Sequence, residues 1–440
     1  MARPGDHAGT SRVGCVGTLL NLRMPAARMK RVLMVAYHFP PLAGSSGIQR
    51  TLRFVQQLPR FGWEPLVLSV DTRAYERTSD DLISDVPAGT IVERAFALDT
   101  ARHLGIGGHY IAGWARPDRW VTWKFDAIRT GLRMIRAHRP AAIWSTYPIA
   151  TAHLIGAELQ RHSGLPWLAD FRDPMAQDGY PANPKVWQSF KAIEQRAIEQ
   201  SAYSLFTTPS AARTYRARYP AAASRIVKLE NGFDEESFDE VESSTDISHA
   251  LNPGAVTLLH SGIVYPSERD PTQLIASLGR MRRDGQIPSG SLRLRFRAPV
   301  HDALLRRLAV QHGVDDLVET LPPLPYRDAL AEMMRADALL VMQGSNCNEQ
   351  VPAKVYEYLR ANRPILCLAD PSGDTAAVMR DAGVAPIARL ESVVEIESVI
   401  PEFIRSVAND SASRPTSEAV LGASRAQRTA TLASLLDSVG

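Results

Sequence analysis

Apolar runs of strand length alternate with amphipathic stretches of helix length along this chain, and the alternation occurs twice. Strands separated by helices need crossover connections, so each series predicts a parallel sheet with helices packed on its faces. In the first series a strand over 32–36 enters a Pro- and Gly-rich loop over 40–47. A helix over 48–60 follows, with Leu52, Val55 and Leu58 on one face, and then a strand over 65–70. This strand–loop–helix–strand order is one mononucleotide-type unit. Residues 71–120 are less regular. A helix over 121–138 carries Phe125, Ile128, Leu132 and Ile135 at core spacing, and strands over 141–145, 167–171, 204–208 and 226–229 complete the series.

Residues 235–253 are acidic and serine-rich and read as a linker. Beyond them strands over 256–260, 292–297, 318–321, 338–342 and 364–368 alternate with helices over 271–283, 301–312, 327–335 and 375–383. The expected architecture is therefore α/β, with two Rossmann-like parallel-sheet domains, 29–234 and 254–415, facing a cleft. In such sheets ligands bind beyond the carboxyl ends of the strands. A terminal helix within 416–440 carries Leu432, Leu435 and Leu436 in one stripe and is expected to pack back on the first domain. Residues 1–28 make a poor signal peptide, because their apolar core is weak and Asp6 precedes it. They read as a disordered or non-native extension before Met29, where KRVLMVAYHFPP opens the first strand.

The net charge of +3 gives no basis for nucleic-acid binding. Three cysteines without ligand spacing speak against a disulfide framework and fit a reducing, cytoplasmic setting. No metal site is expected, and no apolar run reaches the roughly 18 residues of a membrane span. Between Trp114 and Arg139, tryptophans are interleaved with basic residues, and Arg129, Arg133 and Arg136 share one helix face. Such a surface suits peripheral contact with an anionic membrane; an ordinary solvated helix face over buried tryptophans fits the same pattern.

Five segments carry the candidate chemistry. In PPLAGSSGIQR, the small residues Gly44, Ser45 and Gly47 let backbone N–H groups approach an anion or sugar, with Arg50 one turn on; a plain tight turn is the competing explanation. In LLHSGIVYPSERDP, Gly262 follows a strand and Arg269 heads the next helix, where a guanidinium can grip phosphate. In NEQVPAKVYEYLRANRPIL, Glu349 and Glu357 flank Lys354. The carboxylates suit sugar and ribose hydroxyls, and the lysine, in the first helical turn, suits a pyrophosphate. Asp173, in LADFRDP at a strand end, and His153, on a helix after a strand, are acceptor-side candidates for catalysis; a structural role fits Asp173 equally well and His153 better.

Together these residues resemble the family-4-type glycosyltransferases with the GT-B fold, over residues 29–440. The likeness rests on the PPLAGSSGIQR loop, the NGFDEESF turn, the SGIVYPSERDP loop and the Glu349-x7-Glu357 spacing. LADFRDP is similar to a segment of members that build bacterial polysaccharides. The sequence departs from the family where Gln350-Val351-Pro352 replaces the usual Pro-Phe-Gly, and where the usual Arg and Lys pair of the diphosphate loop is reduced to Arg269. The resemblance implies a retaining, metal-independent, hexosyltransferase-like transfer. The nucleotide-sugar is a substrate, not a cofactor, and the acceptor is a glycan or lipid-linked hydroxyl. The alternatives are a nucleotide-sugar epimerase of the same fold and a non-catalytic nucleotide-sugar binding protein.

Overall fold

The computed structural model describes residues 29–44, 47–104 and 112–440, the side chains of Ala112 and Trp114 excepted. The N-terminal extension over 1–28, Ser45 and the Trp114 side chain therefore lie outside the described residues. Two all-parallel sheets form the framework. The first holds β1 (Lys30–Val35), β2 (Trp63–Val70), β3 (Ile91–Ala95), β4 (Ala142–Thr146), β5 (Trp167–Arg172), β6 (Tyr203–Phe206) and β7 (Ile226–Lys228), in the order β3-β2-β1-β4-β5-β6-β7. The second holds β8 (Val256–Ser261), β9 (Leu292–Arg297), β10 (Val318–Leu321), β11 (Ala338–Gln343), β12 (Ile365–Ala369) and β13 (Ile387–Ala388), in the order β10-β9-β8-β11-β12-β13. The direction of winding reverses between β1 and β4 and again between β8 and β11. Helices leave opposite faces at such a point and open a crevice above the strand ends.

Central strands such as VLMV in β1 and ALLVMQ in β11 are buried on both faces, which is why they read as continuous apolar runs. Edge strands are less apolar. β3, IVERA, is mostly half-buried, and β13 has two residues; neither stood out in the sequence.

In the helix Trp123–His138 the expected Ile128, Leu132 and Ile135 pack partly buried against the core, but the most buried face is turned toward smaller residues. Trp123, Ala127, Thr130, Gly131 and Met134 are buried, whereas Phe125 is 70% exposed. Small side chains decide this, because the helix Ala150–Ser163 comes so close that a Cβ on Gly131 would stand 2.8 Å from Leu159. The stretch over 235–253 also differs from a bare linker. It begins with the helix Glu235–Ser244, capped by Asp234 and clasped by Arg360 of the second domain through Glu235 and Glu242.

The terminal helix Arg425–Asp437 buries Leu432, Ala433 and Leu436 against Val32, Leu52 and Trp63 of the first domain. Thr429 Oγ1 donates to Gln57 Oε1 at 3.1 Å, and Trp63 Nε1 donates to Asp437 Oδ1 at 3.1 Å. The chain enters this helix across Gly232, where any Cβ would meet the Ala423 carbonyl at 2.6 Å. Among the described residues no helix is long and apolar enough to cross a membrane.

Candidate functional site

The two winding reversals face each other across a cavity of about 620 Å³. Its second-domain wall comes from the loop after β8, the loop after β10 and the start of the helix Lys354–Ala361. Its first-domain wall comes from Leu42 to Gly44 and the helix Gly47–Gln57.

One end of the cavity is cationic. Lys354 Nζ lies 3.4 Å from Nε2 of His260, near the end of β8. His260 Nδ1 lies 3.0 Å from the Leu340 carbonyl oxygen, which can only accept. Nδ1 therefore carries the proton, and Nε2 offers its lone pair to the ammonium. Burial first, and the lysine charge second, hold His260 well below its usual pKa, so the ring stays neutral. Burial and the neighbouring Arg269 guanidinium bring Lys354 down to about 7, against the pull of Glu357. Gly262 makes this packing feasible. Its φ is +126°, and a Cβ there would stand 2.3 Å from Lys354 Nζ. Arg269 donates from Nη1 to the Ile263 carbonyl at 3.2 Å and packs over Tyr265, but its buried Nε has no hydrogen-bond partner. Two mutually repelling cations, one with an orphaned donor, thus meet at the cavity, and among the described residues no carboxylate lies within ion-pair distance of either.

Next to this end stands a carboxylate. Glu357 lies one turn beyond Lys354 on the same helix face, and Tyr326 Oη donates to its Oε1 at 3.1 Å. Burial raises the Glu357 pKa, while Arg425, Tyr326 and Lys354 oppose the rise. Among the described residues no hydrogen bond reaches Oε2, leaving an acceptor for hydroxyl protons.

Gly262, Arg269, Lys354, Glu357 and Gly44 thus border one cavity. The remaining candidates lie elsewhere. Glu349 is held at the domain seam, where Thr214 Oγ1 of the first domain donates to its Oε1 at 2.6 Å and Thr208 Oγ1 donates to its carbonyl at 2.7 Å. Gly47 opens the helix Gly47–Gln57 against His38 and Arg172.

Arg50 is spent on structure and is not available to a ligand. Its Nε and Nη2 grip Asp170 at 2.7 and 2.9 Å, and its other donors reach the Leu229 and Glu230 carbonyls and Asn231 Oδ1. It locks β5 and the chain after β7 to the helix.

His153 is a core residue. It is fully buried, its Nδ1 lies 2.8 Å from Ser145 Oγ, and burial lowers its pKa to about 3. Asp173 sits just past β5, half-buried beside Arg172, where burial raises its pKa against the guanidinium. Neither borders the cavity. The sequence offered no pattern for Tyr326 or Arg425, which do. His260 was legible only as the histidine of LLHSG.

The family model described as "Glycosyl transferase 4-like domain" matches residues 46–232. No curated protein matches the sequence. The fold is shared with Anabaena Alr3699/HepE, solved in complex with UDP, at 12% identity and a TM-score of 0.62 over 93% of this chain and 100% of that one. It is shared with sucrose-phosphate synthase from Thermosynechococcus elongatus, at 11% identity and a TM-score of 0.60 over 93% and 97%. A glycosyltransferase from Rickettsia africae aligns at 9% identity and a TM-score of 0.65 over 94% and 99%. The two parallel-sheet domains are those of the GT-B fold.

Proposed function

We propose that the protein is a glycosyltransferase that moves a sugar, with retention, from a nucleotide-sugar to a hydroxyl acceptor in cell-surface polysaccharide or glycolipid synthesis. The observation that carries this is the pairing of Arg269 and Lys354 around the bare Gly262 backbone, with the Glu357 carboxylate one helical turn away. A diphosphate fits the first feature and a ribose diol the second. The family match over the first domain and the UDP complexes of the HepE neighbour support the same assignment.

In the reaction the bond between the anomeric carbon and the diphosphate oxygen breaks, and the nucleoside diphosphate leaves with the electron pair. The acceptor oxygen bonds to that carbon from the face the diphosphate leaves, which retains the configuration, and its proton passes to the departing phosphate oxygen. One further negative charge develops on the leaving group, and the fixed positive charges of Arg269 and Lys354 stabilise it. A cavity enclosed by both domains limits hydrolysis of the donor by water.

The acceptor is a glycan or lipid-linked hydroxyl presented from the first domain. We assign the outer face of the helix Trp123–His138 to an anionic membrane surface, with the enzyme at its cytoplasmic side. Phe125, Arg129, Arg133 and Arg136 are exposed there, with Lys124 over the Phe125 ring.

The test is a thermal-shift and product screen with UDP-, GDP-, ADP- and CMP-linked sugars. Stabilisation by one donor family and sugar transfer to an added acceptor is the expected result. An epimerised nucleotide-sugar formed without acceptor overturns it.

A further inference from the structure

The cavity contains a cation that neither the diphosphate nor the protein accounts for. Arg425, the first residue of the terminal helix, borders the cavity and is 6% exposed. Among the described residues no carboxylate lies within ion-pair distance of it, and its side chain makes no hydrogen bond. A buried guanidinium left in this state is costly unless something else fills its donors.

Its position is defined by its neighbours. The charges acting on Lys354 are Arg269 and Glu357, whereas those acting on Arg425 include Glu357, Asp234, Tyr326 and Arg50. Glu357 is therefore within electrostatic reach of both Lys354 and Arg425, and all three line the same cavity.

We propose that Arg425 is a further binding residue of the donor site, its guanidinium donating to the ribose hydroxyl oxygens whose protons Glu357 accepts. The assignment rests on the nucleotide-sugar reading of the cleft. A diol offers two protons and four lone pairs, and a carboxylate can take only the protons. The lone pairs need a donor, and a fork of N–H groups supplies it. The geometry couples binding to the whole architecture. Glu357 belongs to the second domain, while Arg425 rides on a helix seated on the first and is held there by its own backbone N–H to the Phe233 carbonyl at 2.8 Å. A ribose between them ties the two domains through the C-terminal segment.

Calorimetry on the full chain, with UDP, 2′-deoxy-UDP and inorganic diphosphate as probes, tests this. In Arg425→Ala, UDP affinity is expected to fall about tenfold, 2′-deoxy-UDP affinity to fall less, and diphosphate affinity to stay as in the wild type. A folded variant that binds UDP as the wild type does overturns the proposal, as does one that loses all three probes alike. If Arg425→Ala does not fold, Arg425→Lys decides by the same comparison: a loss confined to the nucleotides supports the assignment, and unchanged UDP affinity overturns it. A wild-type protein that binds diphosphate but distinguishes none of UDP, ADP, GDP and CDP from it sinks the donor reading as well. Failure of the Arg425 arm alone leaves that reading standing.

Discussion

Lys354 gives the sharpest prediction, because the cleft that would use its charge also penalises it. With a pKa brought from 10.5 to about 7 by burial and by Arg269, the lysine is roughly half protonated at pH 7 in the empty cleft. At about 1.36 kcal/mol per tenfold, this amounts to a penalty of the order of 5 kcal/mol against the ammonium. The sign follows from proton counting. Between about pH 7 and 10.5 the unfolded chain holds more protons than the folded one, so this group makes the ligand-free protein more stable as pH rises through that window. Below pH 7 the penalty is fully present. A bound diphosphate restores the charge, so binding takes up a proton: about 0.5 per site at pH 7, about 0.9 at pH 8 and about 0.1 at pH 6. The affinity for a nucleotide-sugar then falls by up to about tenfold per pH unit above 7. Titration calorimetry in buffers of different ionisation enthalpy measures the uptake directly. Lys354→Met should abolish it, flatten the pH dependence above 7, weaken donor binding and raise the melting temperature of the ligand-free protein. Equal proton uptake by the wild type and Lys354→Met would show that Lys354 does not take up the proton on binding.

Arg269→Ala should weaken nucleoside diphosphate binding by about 1.5–3 kcal/mol, the range for hydrogen bonds to charged groups, as measured by calorimetry. Gly262→Ala forces a Cβ against Lys354 Nζ at a strained φ and should abolish donor binding with little change in circular dichroism. Asp85 bridges Arg53 and Arg327 across the domains at 3.0 Å each, while Arg53 also pairs with Asp234 and Arg327 with Glu240, so Asp85→Ala removes the carboxylate shared across the seam and should enlarge the radius of gyration by small-angle scattering. Glu194 is fully buried and holds Ala176 N–H, Tyr219, Lys191 and Arg218, so Glu194→Gln should cost about 3–5 kcal/mol by chemical denaturation. Burial alone would raise the Glu194 pKa, but these bonds bring it below 4.5, so its contribution is present above pH 4.5 and lost as pH falls further.

The two-sheet plan was legible because buried parallel strands leave continuous apolar runs, and the cation–carboxylate spacing of Lys354 and Glu357 was legible because both lie on one helix. What escaped the sequence depends on contacts between distant segments. Arg50 follows a glycine-rich loop and looks like a ligand residue, yet its carboxylate partner is Asp170, on another strand. Glu349 has the right spacing from Glu357, but the loop that carries it turns toward Thr208 and Thr214. Phe125 sits at core spacing, but the close approach at Gly131 sets the helix rotation. Arg425 carries no local signal, because its place in the cavity follows from the terminal helix returning to the first domain.

A crystal structure of the protein with UDP, or with the nucleotide that stabilises it most, locates the donor directly. The diphosphate is expected over Gly262, between Arg269 and Lys354, with the ribose hydroxyls on Glu357. A nucleotide bound outside this cavity, or bound in it with its phosphates away from both cations, would contradict that placement.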